Sequence, residues 1–123
     1  MVKGIGVDIV SVARVQEALD RTEGFAERIL TESELQKLAA TKQKAHYLAK
    51  RFAAKEAAVK ALGNGIGNGV SWHHIEVSND EMGAPHLHLT GPAKELMTAL
   101  GASQCKLSLS DERDNAIAFV VME

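Results

Sequence analysis

The sequence predicts an α+β fold, an antiparallel sheet packed with helices around one long central helix, and three observations carry that reading. Strand-like apolar runs lie near both ends of the chain, at residues 4–10 and 116–122. The strongest helical signal sits between them, from about Gln43 to Leu62, rich in Ala, Lys and Leu and stopped by Gly63. The elements then run strand, helices, hairpin, helix, hairpin, which is not the alternation of a parallel α/β sheet. A length of 123 residues, 46% of them apolar, fits a single domain, 1–123, with enough material for one core.

Each element has a local reason. Gly4-Ile5-Gly6-Val7-Asp8-Ile9-Val10 is β-branched and glycine-bounded, hence a strand, interrupted by one acid. Ser11 is an N-cap for a helix whose Val12, Val15 and Leu19 share one face, leaving Arg14 and Arg21 on the solvent side. Thr31-Glu32-Ser33-Glu34 matches a capping box and starts a helix over roughly 32–40. On the long helix, Leu48, Phe52 and Val59 form one stripe and Tyr47, Ala54, Ala58 and Ala61 nearly the opposite one. Two polar edges are expected between them, one with Glu56 and Lys60, the other with Lys44, Arg51 and Lys55. The glycine-rich segment 63–69 reads as a loop.

Residues 71–78 and 86–90 are expected to pair as a hairpin across a turn-rich loop. Gly91-Pro92 opens a helix that Gly101 ends, proline costing little in a first turn. The alternating run 106–110 and the apolar run 116–122 form the last hairpin, the second strand apolar on both faces.

Composition narrows the function. A formal charge of −2 argues against a general nucleic-acid binder. No apolar run approaches the roughly 20 residues of a membrane helix, and the opening residues lack a signal-peptide core, so a cytoplasmic protein without a membrane partner is expected. Cys105 stands alone, which rules out an intrachain disulfide and a cysteine-based zinc cluster; it reads as a small buried hydrophobe.

The chemically suggestive set is Asp8, Glu56 and Lys60. Glu56 and Lys60 are one helical turn apart, a spacing that also suits a plain surface ion pair. Asp8 can equally be a strand-end acid. Should the first strand pack beside the long helix, however, Asp8 and Glu56 become two hard oxygen ligands for Mg²⁺, with Lys60 as a point charge for a phosphate. The glycines at 63–69 follow a helix rather than precede one, which is the wrong order for a phosphate loop. His86 and His88 share a strand face without a third matched ligand, and His73-His74 point apart. Ser108 and Ser110 lack a nucleophile elbow.

Gly4 to Val10 and Arg51-Phe52-Ala53-Ala54-Lys55-Glu56-Ala57 resemble the two signatures of the holo-acyl-carrier-protein synthases, and segments at 25–30, 79–80, 83–85 and 107–112 are similar to that family's as well. The resemblance implies a 4'-phosphopantetheinyl transferase fold, transfer of phosphopantetheine from coenzyme A to a serine of an acyl carrier protein, and a homotrimer with sites between subunits. It implies Asp8 and Glu56 as Mg²⁺ ligands and Lys60 as the contact to the coenzyme A phosphates. By the same resemblance, Arg51, Gly65, Pro85 and Ser108 match positions near bound coenzyme A, and Arg14, Arg21, Phe25 and Arg28 match the surface that receives an acidic carrier. Lys106 departs from many members, which carry histidine there; a lysine can still neutralise phosphate. In a trimer the strand 116–122 would face a shared apolar interior, with Val120 taken as pointing into it. The rivals are a catalytically silent coenzyme A or nucleotide-binding module and a purely structural trimer.

Overall fold

The computed structural model describes residues Met1–Glu123. Strand β1 (Gly4–Ser11) is followed by helices α1 (Val12–Arg21), α2 (Phe25–Ile29), α3 (Glu32–Ala40) and the long α4 (Lys44–Leu62). A 3₁₀ turn (Trp72–His74) leads into the hairpin β2 (Ile75–Asn79) and β3 (Pro85–Leu89). Helix α5 (Gly91–Ala99) and the hairpin β4 (Cys105–Asp111) and β5 (Asn115–Met122) complete the chain. The strands form two antiparallel sheets, β1-β5-β4 and β2-β3, rather than one.

Most local signals act as read. The Ser11 side chain accepts from the Arg14 amide, and Thr31 and Glu34 close a reciprocal capping box. Gly63, at φ 73°, ends α4: its amide donates to Lys60 O and that of Asn64 to Val59 O, the paired bonds of a Schellman stop. One reading needs correction. Residues 71–74 are not strand, because Ser71 accepts from the His73 amide and caps the 3₁₀ turn. The five residues of α2 form a helix that their short span hides from any periodicity argument.

Helix α4 runs through the middle of the molecule. Its Ala45, Leu48 and Ala49 enter one apolar cluster, with Val12, Val15, Ile29 and Leu38. Its stretch from Ala53 to Leu62 enters another, with Ile75, Met97, Ala118 and Val120. The two apolar stripes are therefore satisfied inside one protomer, along the helix length, and do not require a second copy. Nor is the second polar edge solvated: Arg51 and Lys55 are buried. Only Lys44 remains outside, donating to Leu38 O at 3.0 Å and Thr41 O at 2.8 Å, where its charge suits the carbonyl end of α3.

The three-stranded sheet lays one face on α4 and leaves the other bare. Inward-pointing Ala116, Ala118, Val120 and Met122 are fully buried, whereas Ile5, Val7, Ile9, Ile117 and Phe119 are exposed. Val120 thus belongs to the core, and the outward positions of β5 are Ile117 and Phe119, one residue out of phase with the sequence expectation.

Candidate active site

Asp8 reaches the helix because glycine lets the strand come close. Gly4 and Gly6 alternate with Asp8 on the inner face of β1. A Cβ at Gly4 would sit 2.1 Å from Ala61 O, and one at Gly6 1.9 Å from Ala57 O, so only glycine allows this approach. The first side chain on that face beyond the close contact is Asp8. It lands beside the Glu56–Lys60 edge of α4, and the Lys60 ammonium donates to Asp8 Oδ1 and to Val7 O, each at 3.0 Å. Lys60 therefore pairs with the acid on the strand and not with Glu56 on its own helix.

Asp8 and Glu56 share a cleft of about 310 Å³ with Ile9, Val10, Ser11, Arg14, Val15, Phe25 and Phe52. Burial pushes the Glu56 carboxyl above the usual carboxylate range, the neighbouring Asp8 pushes it further, and Lys60 opposes both. Two half-buried carboxylates sharing a cleft, with one lysine bonded to Asp8, leave the site short of positive charge. This donor set fits Mg²⁺, which takes one or two protein carboxylates and fills its shell with water and phosphate oxygen. No third His, Cys, Asp or Glu joins them, so the pair lacks the closed ligand set of a structural zinc site. A larger depression of about 710 Å³ lies between α1, the start of α4 and the turn at 111–114, and none of the candidate residues lines it.

The other candidates fall into separate groups. Arg14 and Phe25 border the carboxylate cleft. Arg21 is exposed on the same side of α1 and pairs with Glu17 at 2.8 Å, and Arg28 is exposed on α2. Arg51 is sealed inside, 3% exposed: its Nη2 donates to Asn79 Oδ1 at 2.7 Å, its guanidinium lies 4.4 Å from the Tyr47 ring centroid, and its Nε has no partner. Asn79 is the register partner of Pro85, so Arg51 and Pro85 belong together. Arg51 and Glu56 are about 140° apart around α4, which puts that group on a different side of the helix from the carboxylates. Gly65 is half-buried in the loop after α4, and Ser108 is exposed on the outer face of β4. Lys106 pairs with Glu123 at 2.9 Å.

Residue reasoning had not marked Asn79, the anchor of Arg51, nor Val15 and Phe52 as walls of the cleft; both wall residues appear in the sequence only as members of apolar stripes. His86 bonds Asp80 and His88 bonds Ser78, each at 3.0 Å, as ordinary strand histidines do.

The family model described as the 4'-phosphopantetheinyl transferase superfamily matches residues 4–120. A holo-[acyl-carrier-protein] synthase of Vibrio campbellii is 54% identical over 121 residues, 98% of this chain and 96% of that one. The crystal structure of the holo-[acyl-carrier-protein] synthase from Neisseria meningitidis superposes with a TM-score of 0.89 at 44% identity, covering 100% of this chain and 99% of the other. The Helicobacter pylori holo-[acyl-carrier-protein] synthase in complex with coenzyme A gives 0.83 at 38% identity, covering 97% and 99%.

Proposed function

The chain belongs to the 4'-phosphopantetheinyl transferase superfamily, and from that premise we propose that it transfers the 4'-phosphopantetheine of coenzyme A to a serine of an apo acyl carrier protein. The products are the holo carrier protein and adenosine 3',5'-bisphosphate, a step that supports fatty acid biosynthesis. The observation that carries the reading is the meeting of Asp8 and Glu56 at one cleft, with Lys60 bonded to Asp8 beside it, on a strand that Gly4 and Gly6 let come close to α4. The whole chain, 1–123, acts as one transferase domain.

Asp8 and Glu56 are assigned as the residues that hold Mg²⁺, which when bound supplies Lewis-acid stabilisation of charge on the pyrophosphate. Lys60 contributes a second positive charge there, its side chain more than half exposed and able to turn from Asp8 towards a phosphate. The carrier serine gives up its hydroxyl proton to solvent as its Oγ bonds to the phosphorus next to pantetheine. The bond from that phosphorus to the bridging oxygen breaks, and the electrons leave on the adenosine bisphosphate. Arg14, Arg21, Phe25 and Arg28 are assigned to the carrier, Arg14 and Phe25 at the carboxylate cleft and Arg21 and Arg28 exposed on α1 and α2.

Arg51, with Pro85, Gly65 and Ser108, is assigned to coenzyme A. Its buried guanidinium, bonded to Asn79, holds the strand end opposite Pro85, so it serves the coenzyme A site by positioning that edge. Because the Arg51 group and the carboxylates occupy different sides of α4, one coenzyme A is best served by two protomers. The bare face of Ile5, Val7, Ile9, Ile117 and Phe119 offers the contact, and a closed ring of three copies would cover it. The protein is accordingly assigned as a cytoplasmic homotrimer; no helix is long and apolar enough to cross a membrane.

Incubation with apo acyl carrier protein, coenzyme A and Mg²⁺, followed by intact-mass spectrometry, tests the activity. The phosphopantetheine adduct on the carrier is the expected result. Binding of coenzyme A without any adduct would leave the silent binding module as the function.

A further inference from the structure

On another side of α4, away from the cleft, lies a buried ion pair that the transfer chemistry does not use. The Lys55 side chain is 0% exposed and that of Glu34 1%, with 2.6 Å between Lys55 Nζ and Glu34 Oε1. The ammonium spends its other donors on Ile29 O at 2.7 Å and Trp72 O at 3.2 Å. Glu34 Oε1 also accepts from the Thr31 amide, and its Oε2 accepts from the Val77 amide, both at 2.8 Å. Every polar atom of the pair has a partner, and the bonds tie together α2, α3, α4, the 3₁₀ turn and β2.

An apolar pair of similar volume would hold a core at least as well, since burying two charges costs much of what their attraction returns. What a saturated ion pair adds is direction. The segment that most needs direction is α2. Five residues cannot sustain a helix alone, and this one enters through Gly24 at φ 78° with no side-chain cap. Two polar tethers fix it, Lys55 on Ile29 O at 2.7 Å from inside and, at the surface, His73 Nε2 with Glu27 O at 2.9 Å. The same short helix places Phe25 in the wall of the carboxylate cleft and leaves Arg28 exposed.

We propose that Lys55, with Glu34 and His73, is a positioning residue for carrier docking. It fixes α2, and with it Phe25 and Arg28, at a set height on the helix that bears Glu56, so that an acidic carrier presents its serine to the two carboxylates. Lys55 and Glu56 are consecutive in sequence, so the docking tether and the metal ligand hang from the same turn of α4. This inference rests on the reading of Phe25 and Arg28 as carrier contacts.

The test compares KM for apo carrier protein, KM for coenzyme A, kcat and melting temperature in the full-length enzyme. The variants are Lys55→Met/Glu34→Gln, which removes both charges so that none is stranded, His73→Ala, and Arg28→Glu with Phe25→Ala as docking references. The expected result is a carrier KM raised roughly three- to thirtyfold in the double variant, with KM for coenzyme A unmoved. His73→Ala should give a smaller rise in the same direction. A purely structural pair would lower the melting temperature and the active fraction while leaving both KM values alone, and that outcome overturns the proposal, as does an equal rise in both. Should Arg28→Glu and Phe25→Ala both leave carrier KM unchanged, the docking surface itself is misassigned and the proposal falls with it. If they raise it while the tether variants do not, only the positioning role fails. If the double variant does not fold, His73→Ala decides by the same criterion.

Discussion

Gly6→Ala leaves both acids in place and asks whether the close approach of β1 to α4 builds the site. The new Cβ would lie 1.9 Å from Ala57 O and 2.8 Å from Ala61 N. Ordinary contact begins at 3.4 Å, which is 1.5 Å more than the 1.9 Å on offer, so the strand has to lift by about that amount. Both colliding atoms are backbone, and no rotamer change relieves them. Overpacking of this kind costs about 1–3 kcal/mol, more than the fraction of a kcal/mol that alanine returns by stiffening the unfolded chain. The melting temperature should drop by roughly 3–5 °C per kcal/mol in a domain of this size.

Activity should suffer more than stability. Asp8 is two residues along the same face, and a misplacement near 1 Å costs about a hundredfold in rate. The measurement pairs a thermal melt with the initial rate of phosphopantetheine transfer by intact-mass spectrometry. A Gly6→Ala protein that melts and turns over like the parent would show that β1 is not seated on α4 as described.

Three further outcomes are expected. Phe119→Asp places an unpaired carboxylate on the bare sheet face, and a cost of several kcal/mol per contact should leave a folded monomer by sedimentation equilibrium; a trimer that survives the change refutes that interface, while Val120→Asp, aimed into the core, should unfold the chain instead. Arg14→Glu should raise carrier KM roughly two- to tenfold with coenzyme A KM unchanged, the effect shrinking with added salt, and more than Arg21→Glu because Glu17 already pairs with Arg21; salt-independent kinetics in both would move the docking surface elsewhere. In metal-free protein, NMR titration should find Glu56 above the ordinary carboxylate value, lowered by Asp8→Asn and raised further by Lys60→Met. With a folded value above the unfolded one, the stability Glu56 contributes is complete below its unfolded pKa and is lost as pH rises through the raised value, a loss that Asp8→Asn should lessen. A Glu56 value that Asp8→Asn leaves unmoved would mean the two carboxylates are not neighbours.

Much of this was legible where the physics is local. The Ser11 and Thr31 caps, the Gly63 stop and the last hairpin follow from side chains within a few residues of one another. Asp8, Glu56 and Lys60 were legible as candidates, but spacing alone left Glu56 and Lys60 as a surface pair; the geometry that turns Lys60 to Asp8 depends on two glycines whose purpose shows only against the Ala57 and Ala61 carbonyls. The burial of Arg51 and Lys55 was not legible. Their partners, Asn79 and Glu34, lie 28 and 21 residues away, and a lysine at helical spacing on an Ala-rich helix looks solvated until its acid is found. Val120 illustrates the period-2 hazard: a strand apolar on both faces carries no signal for which face is inward, and a one-residue error exchanges core for surface.

The central claim is that Asp8 and Glu56 together hold the metal that the transfer needs. The direct measurement is the Mg²⁺ dependence of phosphopantetheine transfer in Asp8→Asn and Glu56→Gln, each nearly isosteric, with circular dichroism to check the fold. The account expects both proteins to fold and both to lose most turnover, with any residual rate shifted to higher Mg²⁺. Unchanged Mg²⁺-dependent turnover in either variant would contradict it.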